Sequence, residues 1–134
     1  MHPLIVGAVS SLWKSGQHRL AVETAAATLV TAVRTRTGRV DIQDAALWDQ
    51  VFSFDPPIEG KPRLRWPGDV SDLTVRSMNN GLRSFGTGLQ GAVRNVAAHR
   101  LAELTEQEGL ERLAAISLLA RWVDECELIT MEPR

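Results

Sequence analysis

Apolar residues recur at steps of three and four over four long stretches of this chain, and that period commits it to helices packed on one another. In the first, Leu4, Ile5, Ala8, Val9 and Leu12 keep the spacing and Pro3 suits an opening helical turn. A helix over Pro3–Lys14 is predicted, broken by Ser15-Gly16. The second, Gln17–Thr37, is rich in alanine (Ala21, Ala25, Ala26, Ala27, Ala32), the best helix former and small enough to let neighbours approach closely. It is expected to be central and to end at Gly38; Glu23 stands out among its few polar residues. The third stretch, Ser77–Ala98, carries the stripe Leu82, Phe85, Leu89, Val93 and Val96. It also holds Gly81, Gly86, Gly88 and Gly91, each costing about 1 kcal/mol relative to alanine, so it needs tertiary packing, such as very close contact with another helix. The fourth opens on Thr105-Glu106-Gln107-Glu108, a capping-box signature, and is predicted over Glu106–Glu127. Its Leu110, Leu113, Ile116, Leu118, Leu119, Trp122 and Val123 cover more than one face, as in a central helix or one shared with a partner subunit.

Between the second and third stretches, Asp41 is positioned to cap a short helix over Ala45–Phe52. Residues 53–72 hold Pro56, Pro57, Pro62 and Pro67 with Gly60 and Gly68, which predicts an irregular excursion with a small hairpin about Gly60. The expected fold class is all-α, a four-helix bundle with this loop or hairpin insertion, as one domain over residues 1–134. The length suits one domain, and a 44% hydrophobic content excludes a disordered chain.

A formal net charge of -1 argues against a globally basic nucleic-acid binder, so contact with a polyanion must come from a local patch. Lys61, Arg63, Arg65 and Trp66 form one: either it tracks a phosphate backbone with Trp66 as stacking platform, or it is a solvated loop around a packed tryptophan. The single cysteine, Cys126, excludes an intramolecular disulfide and fits a reducing, cytoplasmic setting. It has no visible activating neighbour and reads as a packing residue. Met1–Trp13 lacks the basic leading segment of a signal peptide. No apolar run approaches the ~18 residues of a membrane span, so no membrane partner is expected. His2 and His18 have no metal-ligand partner at a convincing spacing. Trp13, Trp48 and Trp122 read as core.

The densest cluster of chemical residue types is Arg94-Asn95-Val96-Ala97-Ala98-His99. Arginine offers a permanent cation with a planar fork suited to phosphate, histidine exchanges a proton near neutral pH, and asparagine orients a ring or a phosphate oxygen. Together they are equipped to cleave a phosphodiester without metal. The bland alternatives are a surface cation for Arg94, a helix-ending residue for Asn95, and for His99 a residue satisfying orphan carbonyls. On an ideal helix Arg94 and His99 lie about 140° apart. They converge only if the helix ends near His99 or a second subunit brings its own copy opposite. Glu23 either faces this motif from the central helix or is a solvated or paired carboxylate.

An arginine, a polar neighbour and a histidine at the end of the penultimate helix resemble the Arg-x4–6-His motif of the HEPN superfamily. The resemblance extends to the uncharacterised bacterial and phage-associated Ymh-type family over nearly the whole chain. It runs through His2-Pro3-Leu4-Ile5, the alanine-rich helix, Phe85-Gly86-Thr87-Gly88, Ala92-Val93-Arg94-Asn95, Ala98-His99 and the helix from Glu111 to Asp124. Val96 stands where the family usually has proline. The resemblance implies a HEPN-like four-helix bundle, a homodimer with two motifs facing one cleft, and metal-independent RNA cleavage without cofactor in phage defence or toxin–antitoxin biology. His99 would be general base or acid, and Arg94 would stabilise charge on phosphorus. An antitoxin or another defence protein would be a further partner. The alternative it implies is a catalytically inactive HEPN module that binds RNA, a nucleotide or a protein partner.

Overall fold

The computed structural model describes residues 1–99 and 102–131. Helices α1 (Pro3–Lys14), α2 (His18–Thr37), α3 (Asp44–Val51), α4 (Leu73–Leu89), α5 (Val96–His99) and α6 (Glu106–Glu125) dominate it, with a π-helical turn, Gln90–Asn95, between α4 and α5. α1 runs along α2 and reaches α6. α2 also packs on α6 and on the π turn, while α3 lies on α4. Ile5 and Val9, Val22, Leu29 and Val33, Leu47 and Val51, Leu82, and Ile116 and Leu119 are buried in one cluster. Ala21 and Ala25 are fully buried on α2, which is the close approach its alanines predict, whereas Ala27 is exposed.

Helix ends follow local chemistry. His2 caps α1: its Nδ1 accepts from the Leu4 N–H at 3.1 Å, and its Nε2 lies 2.5 Å from Asp124. Gly38 ends α2 at φ 69°, its N–H bonded to the Arg34 carbonyl at 2.7 Å, a left-handed cap that glycine adopts without a Cβ penalty. The capping box of α6 is formed, with Glu108 N–H to Thr105 and Thr105 N–H to Glu108 both at 3.1 Å. Arg36 of α2 donates to the Val123 carbonyl at 2.8 Å and to the Cys126 carbonyl, satisfying acceptors that a helix end leaves orphaned.

Several expectations are corrected. Asp41 does not cap α3. That helix follows Gln43, which makes no side-chain cap bond, and Asp41 instead holds Arg39, whose side chain is 1% exposed, through contacts of 2.8 and 3.1 Å. α4 starts at Leu73 rather than Ser77, because Asp72 accepts from the Thr74 N–H at 2.8 Å and caps it. The expected turn at Gly60 exists (φ 72°, an Ile58–Lys61 bridge), but the strand after it pairs elsewhere. β1 (Arg63–Arg65) pairs antiparallel with β2 (Glu127–Ile129), in register Arg63 to Ile129 and Arg65 to Glu127. The fold is therefore mostly helical with a two-stranded sheet, and α6 ends at Glu125 because Glu127 already belongs to β2.

The start of β2 also explains Cys126. It is 3% exposed, and burial pushes its thiol up to about 12 despite the nearby Arg36 cation. Native protein at pH 8 is therefore expected to resist a thiol-specific disulfide reagent, while protein in denaturant reacts at once. Rapid labelling of the native form would overturn this account.

Candidate functional site

The glycines of α4 and the π turn do not act as a group. A Cβ at Gly86 would come within 2.3 Å of the Trp48 ring, so α3 and α4 touch there as only glycine permits. At Gly81, Gly88 and Gly91 a Cβ would meet nothing within 4 Å. Gly86 thus seats Trp48 directly beneath the segment that carries the motif.

That segment leaves the α-helical path. In a π turn the backbone bonds run from each residue to the one five positions away, a costly geometry that occurs mostly as single turns within helices and frequently at functional sites. Gln90 and Asn95 are five residues apart, about 140° on an α-helix, yet Gln90 Nε2 donates to Asn95 Oδ1 at 3.3 Å. The same oxygen accepts from Arg94 Nη1 at 3.4 Å. Gln90 is 6% exposed. Arg94 is half-buried and lines a narrow crevice with Trp48, Gly86, Gln90 and Ile116. His99, the last residue of α5, is exposed. The structure therefore brings Arg94 and Asn95 into contact and leaves His99 at the surface one turn further on.

Neighbouring groups anchor this end of the bundle. Arg19 Nη1 donates to the Ala97 carbonyl at 2.8 Å and lies 3.5 Å from Glu23 Oε2. Glu23 thus pairs with Arg19, one of the open alternatives for it, and reaches α5 only through that arginine. Its carboxylate borders a shallow groove with Leu4, Leu20 and Thr24. Glu103 accepts from the backbone N–H groups of Arg19 at 2.6 Å and Leu104 at 2.8 Å, and these bonds hold its carboxyl below the usual range. A carboxylate depressed in the folded state stabilises the fold above its unfolded pKa, and that contribution is lost as pH falls through the folded one. Melting temperature is thus expected to fall on acidification below about pH 4, and Glu103→Gln should flatten that part of the profile. An unchanged profile in the variant would dismiss the contribution.

The basic patch is largely engaged internally. Arg63 donates to the Gln50 carbonyl, and burial draws its pKa down. Arg65 reaches the Phe54 carbonyl at 3.3 Å and sits 5.2 Å from the Phe54 ring centroid. Trp66 packs against the core, and its backbone N–H donates to Oδ1 of buried Asn79 at 2.9 Å. Lys61 is exposed. His18 lies 3.2 Å from the Leu104 carbonyl and 4.3 Å, ring to ring, from Trp13. Among the described residues no three histidine, cysteine or acidic side chains gather as a metal site, and no helix is long and apolar enough to cross a membrane.

A family model described as a protein of unknown function (Hypoth_ymh) matches residues 1–123. The chain belongs to that family. The match takes in Arg94, Asn95 and His99 together with the Trp48–Gly86 contact, and stops before β2. No curated protein and no solved structure matches the chain. Gln90 and Arg19 are the neighbours that sequence reasoning missed. The only signal for Gln90 was its five-residue separation from Asn95, which an α-helical reading places on different faces.

Proposed function

We propose that this chain is a metal-independent endoribonuclease of the HEPN type, acting as a homodimer in phage defence or toxin–antitoxin biology. The observation that carries the reading is the pairing of Arg94 with Asn95 on a π turn, followed by an exposed histidine. In the mechanism, His99 removes the proton from a ribose 2′-hydroxyl. The 2′-oxygen attacks the adjacent phosphorus and the bond to the 5′-oxygen breaks. A second histidine, from the other subunit, returns a proton to that leaving oxygen, and the products are a 2′,3′-cyclic phosphate and a 5′-hydroxyl. Arg94 meets the charge that builds on the phosphoryl oxygens, where its two-pronged contact is stronger than a point charge. RNA is the substrate because DNA lacks the internal nucleophile.

A second reading, a non-catalytic module that binds RNA, a nucleotide or a protein partner, is favoured by one observation: Arg94 lines the Trp48 crevice and His99 does not. The experiment that separates the two is incubation of purified protein with labelled single-stranded RNA in EDTA, with the ends analysed. Cyclic phosphate ends support the ribonuclease. Cleavage only on adding metal refutes the mechanism, and intact RNA held in a complex selects the binding module.

A further inference from the structure

Gln90 is buried, uncharged and four residues before the motif, and it spends its side-chain amide on Asn95. A π turn costs stability relative to continuous α-helix, and here a side-chain bond spans it that α geometry would forbid. The asparagine amide has one acceptor oxygen and one two-hydrogen donor. With Oδ1 occupied by Gln90 and Arg94, the amide is fixed in orientation and its NH₂ group is the part left to meet a ligand. The remaining guanidinium N–H groups of Arg94 are donors too, so what Asn95 and Arg94 have left to offer a ligand is donors, which suits an anion such as a phosphodiester.

We propose that Gln90 is a positioning residue: through Asn95 Oδ1 it locks the π turn so that Asn95 and Arg94 present a donor-only face to a phosphodiester anion. This deepens the ribonuclease reading and rests on it only for the identity of the anion. Gln90 touches no substrate; it acts through Asn95, so its effect and that of Asn95 are one effect.

The test is a double-mutant cycle on the full-length chain, with a short single-stranded 2′-O-methyl RNA as probe. That probe keeps the phosphodiesters but lacks the free 2′-hydroxyl, so binding is read without cleavage. Gln90→Met retains the side-chain length and removes the donor, and Gln90→Glu checks that an acceptor cannot substitute. Both should weaken binding by about tenfold, as expected for one charge-linked hydrogen bond. Asn95→Ala should weaken it similarly, and Gln90→Met should add less than about twofold in the Asn95→Ala background. Melting curves and circular dichroism identify a variant that has merely failed to fold, and for such a position Gln90→Leu replaces it. Additive losses from Gln90→Met and Asn95→Ala would overturn the positioning role. So would undiminished binding by Gln90→Met where Arg94→Ala abolishes it. If Arg94→Ala itself binds the probe as well as the parent does, the anion face is wrong and the proposal falls with it. If binding behaves as stated but unmodified RNA is never cut, only the ribonuclease reading fails.

Discussion

His99→Ala is expected to lower the rate of RNA cleavage by about 10²–10⁴-fold, the usual loss when a general acid or base is removed, while leaving the melting temperature within a few degrees of the parent. The exposure of His99 at the end of α5 underlies the second half of that expectation, since truncating an exposed side chain leaves no cavity. Histidine as a residue type can both give and take a proton, which suits the transfer. Arg94→Lys should also damage cleavage, because lysine keeps the charge and loses the fork. The assay is single-turnover cleavage of labelled RNA in EDTA. Retention of the parent rate by His99→Ala would remove histidine from the mechanism.

The largest effect on stability should come from the Trp48–Gly86 contact. Trp48 is 2% exposed, and its removal to alanine should cost about 3–5 kcal/mol and lower the melting temperature by roughly 10 °C or more. Gly86→Ala drives a methyl group into the same ring and should cost about 1–3 kcal/mol. The two are one interaction, so Gly86→Ala should be far less harmful in a Trp48→Leu background, where the overlap has gone. Equal costs in both backgrounds would show that the glycine is needed for some other reason. Because Arg94 lines the same crevice, Gly86→Ala should also weaken anion binding.

The parts legible in the sequence were those governed by local rules. The capping box at Thr105 and Glu108, the glycine stop at Gly38 and the alanine-lined burial of α2 depend on a few adjacent residues, and their patterns are strong. The start of α4 was read late because Leu73 is 79% exposed and breaks no apolar pattern, so Asp72 as its cap gave little signal. The sheet could not be read at all: strands of three residues carry no period, and their partners are separated by α4 and α6. At the candidate site, Arg94, Asn95 and His99 were singled out by residue type. Gln90 was not, because α-helical spacing turns it away from Asn95 and only the widened turn restores the contact.

The β1–β2 pairing has a consequence for the order of assembly. β1 precedes α4, and β2 follows α6. A chain emerging from the ribosome makes α1, α2 and α3 while Arg63–Arg65 still lacks its partner, and the strand stays an open edge until α6 has been completed. Pairing so distant in sequence closes slowly, and an unpaired edge is where another chain can attach. The interval between the synthesis of β1 and that of β2 is therefore when the nascent protein is most exposed to misassembly with a copy of itself.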